Sequence, residues 1–141
     1  MRDYDKVTSL ELVQEGKAST VRYFADDGVA IKTSGNQRKA YLMRRKPSPE
    51  ELFRWLTAYE VPAGCAPVDQ YIANNSHAAK RMYDSLLFPN GITLRIFPEP
   101  NRIDLYIVKG DTYLEEFTVV TRHPVITMDD AIAELAHQGV L

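Results

Sequence analysis

The chain is poor in cysteine: Cys65 stands alone among 141 residues, so the chain cannot form a disulfide within itself. Small secreted domains usually depend on several disulfides, whereas a single thiol is more typical of a reducing compartment. No apolar run approaches the roughly 20 residues that a membrane-spanning helix needs. The charged amino-terminal hexapeptide is followed by no apolar stretch, so no signal peptide is predicted. These features predict a soluble cytoplasmic protein.

Residue patterns that hold metals, nucleotides or cofactors are also missing. The sequence has no Cys-x-x-Cys pair, no His-x-His pair and no acidic calcium loop. The seven glycines stand singly, so no glycine-rich loop is available to surround a phosphate. Glu134 and His137 have the spacing of half a di-iron ligand set, but that fold needs a second such pair, which the sequence does not supply. Neither a cofactor nor a metal is predicted.

Catalysis has one weak candidate in the lone thiol. Cys65 lies in a loop just before a predicted helix start, a position that lowers the pKa of a thiol. A cysteine nucleophile also needs a base, and the three histidines are scattered over different segments. The sequence therefore predicts an ordinary thiol, with a small cysteine enzyme kept as an alternative.

The composition is that of a globular protein. Apolar residues make up 45% of the chain and charged residues 26%, close to the average of folded domains. A packed core is therefore expected rather than disorder. At this length the simplest organisation is a single domain covering residues 1–141.

Charge is distributed unevenly along the chain. Segment 31–46 carries six cations and no anion, although the formal net charge of the whole chain is −2. Its cations include Arg38, Lys39, Arg44, Arg45 and Lys46, and Tyr41 lies among them. We call residues 37–46 the basic segment. It could be a solvated edge hairpin whose cations prevent edge-to-edge pairing, a surface for an acidic protein, or a surface for nucleic-acid phosphates with Tyr41 stacked on a base.

Turn residues divide the first third of the chain into short strands. Strands are predicted at 7–13, 18–24, 29–33 and 38–45, with turns at Glu15-Gly16-Lys17, Asp26-Asp27-Gly28 and Ser34-Gly35-Asn36. Ser48-Pro49-Glu50-Glu51 then predicts a helix start with a capping box. The apolar face of that helix is predicted from the helical spacing of Leu52, Trp55, Leu56 and Tyr59.

The second half of the chain reads as helices followed by a second meander. A short helical segment from Pro67 and a helix after Asn74-Asn75-Ser76, with Ala79, Met82, Tyr83 and Leu86 inward, precede strands at 92–97, 103–108 and 112–121. Thr127 is predicted to cap a last helix. The predicted fold class is α+β, an antiparallel sheet from two β-meanders in the order ββββ–α–(α)–α–βββ–α, with helices packed on one face.

Rings and charges share one face of the second meander if Gly110-Asp111 is a two-residue hairpin loop and the strands alternate strictly. This face is predicted to hold Arg95, Phe97, Asp104, Tyr106, Val108, Tyr113, Glu115 and Phe117. Tyrosine combines apolar area with a polar tip and is enriched in recognition surfaces. The alternative is that the first meander or a helix covers this face.

The sequence offers two recognition surfaces but no group of residues that together would catalyse a reaction. This combination favours a small non-catalytic protein-binding module, such as an inhibitor, an immunity-type protein or an adaptor. Its partner would be another protein, with an acidic surface where the basic segment docks. The predicted partner-binding residues are Arg38, Lys39, Tyr41, Arg44, Arg45, Lys46, Arg95, Tyr106, Tyr113, Glu115 and Phe117. A nucleic-acid-associated protein that uses the basic segment is the alternative, although a pI near 5.9 disfavours general nucleic-acid affinity.

Overall fold

The computed structural model describes residues 7–14 and 17–141, with side chains from Ala18 onward. The predicted turn at Glu15-Gly16 and the charged hexapeptide at the amino terminus lie outside the described residues. The α+β class predicted from the sequence is confirmed. The chain divides into two compact units, the first ending at Val68 and the second beginning at Asp69. The assignment of all 141 residues to one domain stays a prediction.

The first unit contains a five-stranded antiparallel sheet and one helix. Its strands are β1 (Val7–Gln14), β2 (Lys17–Phe24), β3 (Val29–Ser34), β4 (Gln37–Met43) and β5 (Cys65–Pro67), which pair in that order, and α1 (Pro49–Ala58) joins β4 to β5. The first four strands form the meander predicted from the turns. The fifth strand was predicted as loop; pairing of Met43 with Cys65 and of Tyr41 with Pro67 adds it to the sheet.

A capping box starts α1, as the sequence predicts. The Ser48 Oγ accepts a hydrogen bond from the Glu51 N–H at 3.1 Å, and the Glu51 carboxylate accepts one from the Ser48 N–H at 3.0 Å. Leu52, Trp55 and Leu56 are buried on one side of the helix. Tyr59 was predicted on the same apolar side but is 77% exposed, because the helix ends at Ala58 and Tyr59 takes left-handed backbone angles.

Replacing Ser48 with alanine should lower the free energy of unfolding by about 1 kcal/mol, because the Glu51 N–H loses its acceptor. Urea titration followed by circular dichroism measures the change. Ser48→Asp is the matched control, since aspartate also caps helices and should keep most of the stability. An unchanged urea midpoint for Ser48→Ala would show that the box contributes nothing.

The second unit contains another five-stranded antiparallel sheet. Its elements are α2 (Val68–Asn74), which starts at the boundary, then β6 (Lys80–Arg81), β7 (Ser85–Leu87), β8 (Ile92–Glu99), β9 (Arg102–Lys109), β10 (Thr112–Val120) and α3 (Met128–His137). The strands lie in the order β10–β9–β8–β7–β6. The two meanders thus belong to separate sheets. None of the helices described is long and apolar enough to cross a membrane.

The helix predicted after Asn74-Asn75-Ser76 is wrong. After a 3-10 turn at Ser76–Ala78 the chain forms the β6–β7 hairpin, closed by the Met82 N–H donating to the Ser85 carbonyl at 2.8 Å. Pairing of β7 with β8 places Leu86 opposite Leu94 and buries Leu86 while Leu87 stays exposed. Strand pairing therefore prevails over the helical spacing of the apolar residues from Ala79 to Leu86, from which a helix was predicted.

A β-bulge in β10 shifts its pairing with β9. Tyr113 lies opposite Val108, as predicted, but Glu115 then lies opposite Ile107 and Glu116 opposite Tyr106. One extra residue in the bulged strand turns every later side chain to the other face. The shift brings Phe117 and Val119 to the side of the sheet where Leu105 and Ile103 are buried. Without it, that side would receive Glu116 and Thr118.

Candidate functional site

The outer side of β8, β9 and β10 carries a patch of rings and charges that we call the aromatic face. Strand register places its members side by side: Arg95, Phe97, Asp104, Tyr106, Tyr113, Glu116 and Thr118. Arg95 pairs with Tyr106 across β8 and β9, and Tyr106 pairs with Glu116 across β9 and β10. Three neighbouring strands thus fix the spacing of these side chains.

An edge-to-face ring pair forms the centre of the aromatic face. The ring centroids of Phe97 and Tyr106 are 5.5 Å apart at an interplanar angle of 83°. The Arg95 guanidinium carbon lies 5.4 Å from the centre of the Phe97 ring, a cation–π distance. Together with Glu99 and Asp104 these residues line an open depression of about 390 Å³. Both rings are only partly buried, so this face is accessible.

Charges around the ring pair are compensated unevenly. Arg95 lies 3.6 Å from an Asp84 carboxylate oxygen, and Asp104 is held by Arg102 at 3.2 Å and by the Thr118 hydroxyl at 3.0 Å. Neither Glu99 nor Glu116 has an ionic partner among the described residues. The aromatic face therefore carries surplus negative charge.

Two predicted members of this face lie elsewhere. Glu115 and Phe117 point to the opposite side of the sheet because of the bulge, and Glu115 is buried. Glu116 and Thr118 take their places, whereas Arg95, Tyr106 and Tyr113 are where the sequence predicts them. The sequence carries a signal for the shift: Leu114, Phe117 and Val119 cannot share one face of a strand without an extra residue between the first two.

The basic segment is less uniform than its sequence suggests. Arg45 is held by the Glu51 carboxylate through two hydrogen bonds of 2.7 Å, and this pairing is the main reason that the pKa of Glu51 falls to about 2. Arg38, Lys39, Arg44 and Lys46 are exposed. Arg45 thus supports the capping box of α1 as well as facing solvent.

Tyr41 cannot stack on a base, the role it would have if the basic segment bound nucleic acid. Its exposed fraction is 7%, and its ring meets the Trp55 ring edge-on with centroids 4.9 Å apart. The reason is the alternation of β4, which turns Tyr41 and Met43 toward α1. Tyr41 is therefore a core residue within the basic segment.

Cys65 is half-buried and packs against the hydrophobic core beneath α1. Burial raises the pKa of its thiol to about 12, which disfavours the thiolate that a nucleophile needs. Within the part of the chain that the structure describes, no three His, Cys, Asp or Glu side chains converge so that they could hold a metal. The cysteine-enzyme alternative gains no support from this environment.

Alkylation of Cys65 should be slow in the native protein near neutral pH. Because the thiol is neutral up to high pH, the rate with iodoacetamide should keep rising well past the midpoint of a free thiol, about 8.5. The urea-unfolded chain is the control and should react with the ordinary midpoint. A native midpoint below about 8.5 would contradict this interpretation and favour an activated thiol.

Glu134, half of the ligand pair considered in the sequence, is a structural residue. Its fully buried carboxylate accepts hydrogen bonds from the Arg122 Nε at 2.8 Å and the Arg122 backbone N–H at 3.3 Å. The Arg122 hydrogen bond is the main reason that the pKa of Glu134 is lowered. His137 is exposed at the end of α3. Glu134 thus anchors the segment after β10 to α3.

Acid should remove the contribution of Glu134 to stability. A lowered pKa in the folded state means that this contribution is complete above about pH 4.5 and is lost as the pH falls through the folded value. Glu134→Gln should therefore melt at a lower temperature than the wild type at neutral pH, and the two melting temperatures should converge in acid. Glu99→Gln, at an exposed glutamate, is the control and should leave the pH profile unchanged. Parallel profiles of wild type and Glu134→Gln would contradict the assignment.

Comparisons of the chain with models of protein families, with curated proteins and with solved structures find no match. A functional assignment therefore depends on the geometry of the residues themselves.

Proposed function

We propose that the protein is a non-catalytic binding module whose aromatic face docks another protein. The observation that carries the proposal is the partly exposed Phe97–Tyr106 ring pair, flanked by charges that neighbouring strands hold in place. Rigid aromatic side chains supply large contact area at a small cost in conformational entropy, and they are enriched in protein interfaces. The lone thiol supports a cytoplasmic location for this module.

The extent of the surface favours a protein over a small ligand. A second depression, of about 710 Å³, adjoins the first and shares Phe97 with it. It is also lined by Met82 and Tyr83, whose exposed fractions are 49% and 98%. Small-molecule sites are concave and enclose their ligands, whereas both of these depressions are open to solvent. The surface therefore fits a broad contact with a macromolecule.

The charge of the aromatic face selects the chemistry of the partner. Glu99 and Glu116 add negative charge to a face whose other described ions are paired. A partner that presents arginine or lysine could place its cation over the Tyr106 ring and beside Glu116, which lies opposite Tyr106. The acidic partner expected from the basic segment would not suit this face, so here the partner's contact surface should be basic.

Comparative capture with variants of the full chain tests the proposal. Proteins of the native host that bind the immobilised wild type should be lost with Tyr106→Ala and with Glu116→Lys, because one removes ring contact and the other opposes the partner's charge. Phe53→Ala, at an aromatic residue of α1 that is 58% exposed, is the matched control and should retain them. Purified partner and calorimetry then measure each affinity.

Loss of a fully desolvated anchor of this kind costs about 2 kcal/mol or more, which corresponds to at least a thirtyfold rise in Kd. Equal affinity of wild type, Tyr106→Ala and Glu116→Lys for every captured protein would contradict the proposal. So would a set of partners that depends on Phe53 and not on Tyr106.

A further inference from the structure

Two lysines of the first unit stand directly opposite each other. Lys32 of β3 pairs with Lys39 of β4, so both side chains leave the sheet on the side where α1 packs. Like charges at directly opposed positions destabilise a strand pair. Neither ammonium has a carboxylate partner among the described side chains, and β2, β3 and β4 contain no aspartate or glutamate. Within the part of the chain whose side chains are described, the pair thus has no anion beside it.

Aromatic rings hold both ammonium groups at the margin of the core. The Lys32 Nζ lies 4.7 Å from the centre of the Tyr59 ring, and the Lys39 Nζ lies 5.9 Å from the centre of the Tyr41 ring. Tyr41 is itself fixed against Trp55. The Lys32 side chain is partly buried, and this burial lowers the pKa of its ammonium group. An incoming anion would meet cations that are positioned in advance.

Tyr59 provides an exposed ring beside the lysines. Among the described residues it is the one non-glycine residue with a positive φ, 58°, a conformation that costs free energy for any side chain with a Cβ. This backbone turns the residue out of α1 and leaves it 77% exposed. One face of the ring meets the Lys32 ammonium, and so much exposure leaves ring surface for a planar ligand.

Uncharged polar side chains lie next to the two lysines along the strands. Ser19, Ser34 and Gln37 occupy the next row on the same side of the sheet, two residues from Val21, Lys32 and Lys39. The Ser19 and Ser34 hydroxyl oxygens are 3.2 Å apart in a hydrogen bond. Hydroxyl and amide groups can donate to phosphate oxygens, so this row extends the site's capacity for an anion.

We infer that Lys32, Lys39 and Tyr59 bind single-stranded nucleic acid, with one phosphate between the two ammonium groups and one base stacked on the open side of the Tyr59 ring. Cations that follow a backbone, interleaved with aromatic rings for bases, are the usual features of single-strand binding. An acidic peptide would neutralise the lysines but leave the Tyr59 ring without a role. This site goes beyond the proposed protein-binding function and lies in the other unit of the chain.

Fluorescence anisotropy with a short labelled oligothymidylate tests the site in the full chain at a series of salt concentrations. The double variant Lys32→Gln/Lys39→Gln should bind more weakly. The magnitude of the slope of log K against log salt should fall by about 0.7, because one phosphate is no longer neutralised by the protein. Arg44→Gln/Lys46→Gln removes the same charge outside the site and is the matched control. It should keep the wild-type slope.

Tyr59→Gly separates stacking from charge. Glycine accepts a positive φ, so the fold should be retained, while affinity should fall on the order of tenfold with the salt slope unchanged. The Lys32→Gln/Lys39→Gln variant relieves the repulsion between like charges, so its melting temperature should be no lower than that of the wild type. Thermal melts of the same samples check this. The inference is overturned if the oligonucleotide fails to bind at low salt, or if site and control variants weaken binding equally. Binding of oligoglutamate that needs both lysines, equals the oligonucleotide in affinity and ignores Tyr59 would also overturn it.

Discussion

Replacing Trp55 with alanine is expected to lower the free energy of unfolding by roughly 3–5 kcal/mol. The indole is 1% exposed and is held between the sheet and the helix, with Tyr41 edge-on to it at 4.9 Å. Alanine would leave a cavity that neighbours fixed by sheet pairing cannot fill, so the lost contacts are not recovered. Urea unfolding followed by far-ultraviolet circular dichroism measures the loss without relying on tryptophan fluorescence.

Phe53→Ala is the matched control for this prediction because it removes a ring from the same helix. Phe53 is 58% exposed, and substitutions at exposed sites usually change stability by no more than about 0.5 kcal/mol. A Trp55→Ala protein with the urea midpoint of the wild type would show that the indole is not a core residue. The assignment of the core beneath α1 would then be wrong.

Replacing Phe88 with alanine should have an effect of similar size, roughly 3–5 kcal/mol, in the second unit. Phe88 is 2% exposed, its ring centroid is 6.4 Å from that of Tyr71, and its N–H donates to the Ile92 carbonyl at 2.8 Å in the turn between β7 and β8. The substitution tests whether β6 and β7 form a hairpin in place of a helix, since strand alternation buries Leu86 and Phe88 together. Thermal and urea unfolding measure the loss.

Tyr83→Ala is the control for the Phe88 prediction. Tyr83 is 98% exposed in the bend between β6 and β7, so its ring should add little to stability. In the helix predicted from the sequence, Tyr83 would face the core instead. A large loss of stability for Tyr83→Ala together with a small one for Phe88→Ala would favour that helix and contradict the hairpin.

Elements with a local cause were predictable from the sequence. The start of α1 follows from Ser48 and Glu51, whose side chains accept hydrogen bonds from each other's backbone N–H groups, and from Pro49 at the first helical position. Thr127 caps α3 in the same way, and Gly110 takes the positive φ that the β9–β10 turn requires. In each case the deciding interaction lies between residues close in sequence, so no knowledge of the tertiary fold is needed.

Elements decided by distant partners were not predictable from local patterns. The β6–β7 hairpin exists because β8 offers a strand edge to Leu86, and Lys80, Arg81 and Met82 alone read as helix. The bulge in β10 depends on which side of β9 is buried. Strict alternation could not reveal it, although the spacing of Leu114 and Phe117 was a usable signal.

The candidate sites also differ in whether nearby residues or distant strand partners determine them. The sequence located the aromatic face through Arg95, Tyr106 and Tyr113, because recognisable turns separate the three strands in which they lie. It missed the partnership of Lys32 with Lys39 and Tyr59, since strand register and the left-handed end of α1 bring these residues together. The count of charges identified the basic segment. It could not show that Arg45 is paired with Glu51 or that Tyr41 is buried.

Amide hydrogen exchange on the complex with a partner recovered by capture tests the docking role of the aromatic face most directly. Binding should slow exchange in β8, β9 and the second half of β10, and leave exchange around the exposed Phe53 of α1 unchanged. Tyr106→Ala should clearly weaken this protection at a concentration that only just saturates the wild type. Protection confined to other segments, or protection of wild-type size in Tyr106→Ala, would contradict a docking role for the aromatic face.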